Sequence, residues 1–125
     1  MDKQNIAIIG LGRIGSAFLS EMLRKKGGGI NLAYAAEKMD TPGKTQAIAA
    51  GIKIVSLDDI VALGDKIDVI FDLSGLPNVR SELRQKLTTA NNRHTTIASE
   101  TIARVIWALI SDASLPVIEG RKTGY

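Results

Sequence analysis

The sequence contains no cysteine and a single histidine, His94, among its 125 residues. Without cysteine the chain can form no disulfide, no thiolate nucleophile and no thiolate metal site. One histidine leaves too few ligands for a zinc site, so we expect no metal. Aromatic residues make up only 4% of the chain, and its basic residues are scattered, although the formal net charge is +3. We therefore expect no nucleic-acid partner, because such binding usually combines clustered basic residues with aromatic stacking.

Long apolar runs are also missing. Residues 1–4 are polar, and the run Ile6–Ile9 that follows is too short for a signal peptide. The run Ile102–Ile110 is interrupted by Arg104 and is too short to span a bilayer. We therefore expect no membrane contact, and the cytoplasm is the predicted location.

Short strand-like segments, the first of them apolar and β-branched, alternate with segments of helical periodicity as far as Ser111. The five predicted strands lie at residues 5–9, 30–36, 53–55, 68–73 and 95–98. Such alternation predicts an α/β fold, a doubly wound parallel sheet of about five strands with helices on both faces. The length suits a single domain over residues 1–125, with 112–125 as an irregular tail, and leaves no room for a separate substrate domain.

The segment Gly10–Gly15 fits the pattern G-x-G-x-x-G, directly after the first predicted strand and at the start of a helix. In this context Gly10 permits the tight turn, Gly12 lets a pyrophosphate approach the backbone, and Gly15 allows close packing of helix on strand. Backbone N–H groups at the helix start would bind phosphate oxygens. The pattern predicts a Rossmann-type dinucleotide site, and the alternative is a tight turn in a fold that has lost its ligand.

Glu37 ends the second predicted strand, about 20 residues beyond the last glycine of the fingerprint, where an acid accepts the hydroxyls of the adenosine ribose. A carboxylate disfavours a 2′-phosphate, so NAD is favoured over NADP. NADP is the alternative because Lys38 adjoins Glu37 and could bind that phosphate. Arg13 could lean over the adenine or reach a phosphate. Glu37 could also be a solvated acid at a strand end.

Ser74 and Gly75 follow the fourth predicted strand, at the carboxyl edge where doubly wound sheets bind ligands. They offer a hydroxyl and an unobstructed backbone to the middle of a dinucleotide, and the alternative is an ordinary turn into a helix. Asp72, just before them, is predicted to be a structural hydrogen-bond acceptor.

The sequence identifies no catalytic residue. His94 precedes the fifth strand, at the amino edge opposite the ligand, and is predicted to be a surface or structural histidine. Ser99 is predicted to cap the last helix; the minor alternative is that it faces the nicotinamide. Glu100 is the one acid near that place that could act as a general base, but nothing else in the sequence supports it.

The last helix is apolar on nearly every side. The residues predicted to face the sheet are Ile102, Val105, Ile106 and Leu109. The residues predicted to lie on other sides are Ala103, Trp107 and Ile110. Such a helix is usually buried on two fronts, which predicts a homodimer through residues 102–118. The alternative is that Trp107 packs under tail residues 115–118.

Taken together, Gly10–Gly15, Glu37 and the segment Asp68–Gly75 resemble the amino-terminal NAD-binding domain of acylating acetaldehyde dehydrogenases, over roughly residues 3–98. The layout is similar, more loosely, to that of glyceraldehyde-3-phosphate dehydrogenase, homoserine dehydrogenase and dihydrodipicolinate reductase. The resemblance implies a Rossmann fold and a nicotinamide dinucleotide. It also implies a pyrophosphate held by Gly10, Gly12, Arg13, Ile14 and Gly15, a ribose held by Glu37, and a nicotinamide side lined by Ser74 and Gly75.

The departures from these families limit the chemistry. The two aldehyde dehydrogenases form a thioester on a cysteine, so any catalysis by this cysteine-free chain uses no covalent cysteine mechanism. The other two families need a second domain to hold substrate.

We therefore predict a stand-alone dinucleotide-binding protein of oxidoreductase lineage that completes its site by dimerising or with a protein partner. The alternative is a non-catalytic module that senses NAD(H) or regulates a partner. A third hypothesis is another adenine nucleotide, such as coenzyme A.

Overall fold

The computed structural model describes residues 3–24 and 28–110, and within them five parallel strands form one sheet in the order β3-β2-β1-β4-β5. The strands are β1 (Gln4–Ile9), β2 (Ile30–Ala36), β3 (Lys53–Ile54), β4 (Val69–Asp72) and β5 (Thr96–Ala98). This topology confirms the predicted α/β fold.

Helices follow every strand. They are α1 (Arg13–Arg24), α2 (Pro42–Ala49), α3 (Leu57–Ala62), α4 (Pro77–Thr89) and α5 (Glu100–Ile110). A short 3₁₀ helix at Gly64–Lys66, which the sequence pattern did not predict, precedes β4. The predicted tail 112–125, and the part of the predicted dimer interface at 111–118, lie outside the described residues.

The two faces of the sheet carry separate hydrophobic cores. Ile6 and Ile8 of β1 belong to one core, together with Phe18 of α1 and Trp107 of α5. The intervening Ala7 and Ile9 belong to the other core, with Ile60 of α3 and with Leu83 and Leu87 of α4. Successive residues of a strand point to opposite faces, so helices cover both sides of the sheet.

The strand order reverses beside β1, which has β2 on one side and β4 on the other. Ile9 at the end of β1 pairs with Ala36 of β2 and with Asp72 of β4. The carboxyl ends of β2, β1 and β4 therefore lie side by side at one edge of the sheet. In doubly wound sheets this point is where ligands bind.

The orientation of α5 differs from the prediction. Ala103 and Trp107, predicted to lie away from the sheet, are buried, at 0% and 8% exposed. The three residues predicted to face the sheet but found exposed are Ile102 (48%), Val105 (54%) and Leu109 (79%). Ile106 packs partly buried against the core, as predicted. Ile110 packs in the same way, although it is predicted to lie on another side of the helix. Because the helix is apolar on nearly every side, periodicity alone did not select the packing face.

No helix within the described ranges is long and apolar enough to cross a membrane.

Candidate functional site

The three glycines of Gly10–Gly15 have different surroundings. Gly10 has a φ of +94°, and a Cβ there would lie 2.7 Å from the backbone nitrogen of Ser74. A Cβ at Gly15 would collide with the carbonyl oxygen of Gly10. A Cβ at Gly12 would meet nothing within 4 Å, so this position opens onto free space. Two of the glycines are thus required by the packing of the protein itself, and Gly12 leaves room for an approaching ligand.

The turn between β1 and α1 is held by one hydrogen bond to β2 and one within the turn and helix start. Gly10 N–H donates to Ala36 O at 2.9 Å, and the Ser16 hydroxyl donates to Leu11 O at 2.8 Å. Arg13, the first residue of α1, is exposed, whereas the side chain of Ile14 is buried in the core. Only the backbone of Ile14 is therefore available to a phosphate, and N–H groups of the first helical turn have no partner within their helix.

Glu37 spans from the end of β2 to the turn after β1. Its Oε1 accepts the N–H of Leu11 at 2.7 Å, and its Oε2 accepts the N–H of Met39 at 3.1 Å. Each carboxylate oxygen has two lone-pair directions, so both keep capacity for a hydroxyl donor. Lys38, the next residue, is exposed. Glu37, which is predicted to bind the ribose, thus lies beside the glycine turn, and its carboxylate is held in place.

A buried network holds the turn after β4. Asp72 accepts the hydroxyl of Ser74 at 2.7 Å and the Nε–H of Arg80 at 3.1 Å. The Ser74 oxygen in turn accepts the N–H of Leu76 at 3.2 Å. Gly75 completes this turn with a φ of +73°. Asp72 therefore lies where the sequence predicted a structural acceptor, while its partner Arg80 was not anticipated.

A cavity of about 300 Å³ lies at this edge of the sheet. Four predicted site residues line it: Gly10, Glu37, Lys38 and Ser74. The wall that sequence reasoning missed consists of Val55, Ser56, Leu57, Leu76, Asn78, Val79 and Glu82. Its members lie just after β3, just before α4 and in the first two turns of α4, so a systematic survey of strand ends could have found most of them. The mixture of apolar walls and a few polar groups is typical of a small-molecule site.

The opposite edge of the sheet carries a polar cluster. His94 Nε2 lies 2.6 Å from Asp68 Oδ1, and Asn5 N–H donates to Asp68 Oδ2 at 2.7 Å. The hydrogen bond from Asn5, followed by that with His94, lowers the pKa of Asp68 below its usual range. A larger depression of about 480 Å³ adjoins His94 and Asp65. Being at the amino ends of the strands, it lies away from the glycine turn, and we favour the smaller cavity as the binding site.

Ser99 and Glu100 connect β5 to α5. The Ser99 oxygen accepts the N–H of Ile102 at 3.4 Å, as expected of a helix cap. Glu100 is buried and pairs with Arg104 at 3.3 Å. A buried carboxylate that is committed to an ion pair is poorly suited to accept a substrate proton.

Comparison with known proteins supports the fold. No protein-family model matches the chain, and no curated protein matches it. Among solved structures, homoserine dehydrogenase from S. aureus is 18% identical with a TM-score of 0.59, covering 88% of this chain and 29% of that one. GenD2 from gentamicin A biosynthesis, in complex with NAD, is 13% identical with a TM-score of 0.58, covering 89% and 32%. Apo scyllo-inositol dehydrogenase from Lactobacillus casei is 18% identical with a TM-score of 0.56, covering 87% and 34%.

The chain spans about a third or less of the length of these three structures. The predicted looser likeness to homoserine dehydrogenase is confirmed for the fold, while the resemblance to acylating acetaldehyde dehydrogenases stays a prediction. At these identities the likeness establishes one property: the described part of the chain has a Rossmann-type α/β fold.

Proposed function

We propose that this chain binds a nicotinamide adenine dinucleotide, with NAD preferred over NADP, through a domain that extends over residues 1–125. The observation that carries the proposal is the open position at Gly12, next to a helix start and close to the Glu37 carboxylate. In this proposal the pyrophosphate lies over Gly10–Gly15, with Arg13 and the backbone of Ile14 beside it. The solved NAD complex of GenD2, a structural neighbour, supports the choice of ligand class.

The adenosine half would occupy the 300 Å³ cavity. Its ribose hydroxyls would donate to Glu37, and its adenine would lie between the apolar residues Val55 and Leu57 and those of the α4 start, Leu76 and Val79. The nicotinamide half would extend past Ser74 and Gly75. When bound, the cofactor supplies hydride transfer, and the protein supplies binding and orientation.

We further propose that the chain belongs to an oxidoreductase lineage and completes its site as a homodimer or with a protein partner. Exposed Ile102, Val105 and Leu109 favour such an interface, because they share one face of α5. A non-catalytic NAD(H)-sensing module is the second candidate. It is favoured by the fact that Glu37, Asp72 and Glu100 are all already engaged by protein groups.

The experiment is calorimetric titration with NAD⁺, NADH, NADP⁺, NADPH and coenzyme A. We expect NADH or NAD⁺ to bind most tightly, and absence of binding by all four dinucleotides would overturn the proposal. Tighter binding of coenzyme A would favour that nucleotide instead. The Gly12→Val variant should lose dinucleotide binding with an unchanged melting temperature, because its side chain points into open space in the free protein.

The preference for NAD is tested by Glu37→Gln. Its amide oxygen can still accept the Leu11 N–H, but the negative charge is gone. We expect the NADPH/NADH affinity ratio to rise about tenfold, in line with roughly 1.4 kcal/mol for one charge-assisted contact. Glu82→Gln is the matched control, since it removes the same charge from the α4 wall of the same cavity. An equal rise in both variants would contradict a specific role for Glu37.

A further inference from the structure

The buried ion pair under the turn after β4 has no role in the binding site described so far. Asp72 and Arg80 are both buried, and Arg80 Nε lies 3.1 Å from Asp72 Oδ2. A buried ion pair is weak evidence for stability, because desolvation offsets much of the attraction. Its position directly below Ser74 points instead to the orientation of that residue.

Asp72 determines how the hydroxyl of Ser74 can be used. A carboxylate has no proton to donate, so the 2.7 Å contact between Ser74 Oγ and Asp72 Oδ1 requires that the serine proton points into Asp72. The same Oδ1 accepts the Ser74 N–H at 3.2 Å, which fixes the backbone as well. One serine lone pair then accepts the N–H of Leu76. The hydroxyl of Ser74 therefore has one lone pair left, which can only accept a hydrogen bond.

Ser74 lies where a bound dinucleotide would pass. Its backbone is so near Gly10 that a Cβ on the glycine would touch it, and its side chain belongs to the lining of the 300 Å³ cavity. We propose that Asp72, held in place by Arg80, makes Ser74 an obligatory hydrogen-bond acceptor and so selects a donor group on the ligand. This inference rests on the proposed function. Ser74 would touch the ligand, while Asp72 and Arg80 are positioning residues.

A nicotinamide dinucleotide carries two kinds of donor that suit such an acceptor: ribose hydroxyls and the carboxamide N–H₂. Three probes separate them. NAD⁺ carries both donors, 3-acetylpyridine adenine dinucleotide lacks the carboxamide N–H₂, and ADP-ribose lacks the nicotinamide ring while keeping ribose hydroxyls. Dissociation constants are measured by calorimetry for the wild-type protein, Ser74→Ala and Ser74→Thr.

Ser74→Ala should weaken NAD⁺ binding about three- to tenfold, the value of one hydrogen bond. Ser74→Thr keeps the hydroxyl and should restore binding to within about twofold of wild type by the same measure. If the donor is the carboxamide, Ser74→Ala weakens the binding of NAD⁺ and leaves the binding of both analogues unchanged. If the donor is a ribose hydroxyl, the affinity of all three probes falls by the same factor. An NAD⁺ affinity unchanged by Ser74→Ala overturns the inference.

The role of Asp72 is tested by a double-mutant cycle. The side-chain N–H₂ of an asparagine there can donate to the remaining lone pair of Ser74 Oγ, so Asp72→Asn should weaken NAD⁺ binding about three- to tenfold in the wild-type background. In the Ser74→Ala background the same change should have no further effect on the dissociation constant. An equal loss in both backgrounds would mean that Asp72 acts only on the fold, and would overturn the inference.

Asp72→Asn removes the carboxylate that Arg80 pairs with in a buried position and could prevent folding. The pair Asp72→Asn with Arg80→Gln removes both charges and serves as the second form of the same test. The proposed function fails separately, when the wild-type protein binds none of the three probes. When the wild type binds NAD⁺ and Ser74→Ala binds it equally well, only the inference fails.

Discussion

Gly10 and Gly12 are two residues apart, but only Gly10 is needed by the fold. We expect Gly10→Ala to destabilise the protein by about 3 kcal/mol, because it combines a left-handed backbone with a contact on the Ser74 backbone. Gly12→Ala should change stability by less than about 0.5 kcal/mol, since nothing lies near its Cβ. Urea denaturation measures both variants. Similar losses in the two would contradict this division of roles.

Asp68 is the residue from which we predict a dependence on pH. The hydrogen bond from Asn5 and the contact with His94 lower the pKa of Asp68, so the folded state favours its carboxylate. The resulting stabilisation is present above the unfolded-state pKa, about 4, and is lost as the pH falls through the folded-state pKa. Asp68→Asn should therefore melt below wild type at pH 7, and the difference should vanish in strong acid.

The control for Asp68→Asn is Asp65→Asn, which removes an exposed carboxylate from the same edge of the sheet. Thermal melts are recorded for wild type and both variants from pH 7 downward. A difference between wild type and Asp68→Asn that stays constant over this range would show that the charge of Asp68 is not involved.

Among the elements, α5 gives the sharpest test of packing. Trp107 is buried in the core, and Leu109, two residues further along and therefore on another side of the helix, is 79% exposed. Trp107→Ala should cost about 3–5 kcal/mol of unfolding free energy, and Leu109→Ala less than about 0.5 kcal/mol in the monomer. The reverse order in chemical denaturation would support the orientation that the sequence predicts.

The order of strands and helices could be predicted because short, largely apolar strand segments alternate with segments of helical periodicity in the sequence. The fingerprint, Glu37 and Ser74 could be placed at one edge because parallel strands share their carboxyl ends. The face of α5 could not be predicted, since from Ile102 to Ile110 only Arg104 interrupts the apolar sequence. The Arg80 partner of Asp72 was missed because arginine in a helix usually reads as a solvated residue.

For the whole molecule, the exposed face of α5 is the surface through which the proposed dimer can be tested. We expect a dimer in sedimentation experiments at micromolar concentration. Val105→Glu combined with Leu109→Lys should give monomers with little loss of stability, because both side chains are exposed in the single chain. Ile48→Lys, at an exposed apolar residue of α2, is the control and should leave the dimer intact. A wild-type protein that sediments as a monomer would remove the dimer from the proposal.

The bond between Glu37 and the Leu11 N–H bears on how fast a ligand can bind. Since this carboxylate already fixes the turn after β1 in the free protein, the proposed dinucleotide would bind without first ordering that turn. Association with NADH should then follow a single kinetic phase whose observed rate rises linearly with NADH concentration. Glu37→Ala would free the turn. NADH should then bind to this variant more slowly and with a second phase whose rate does not depend on NADH concentration.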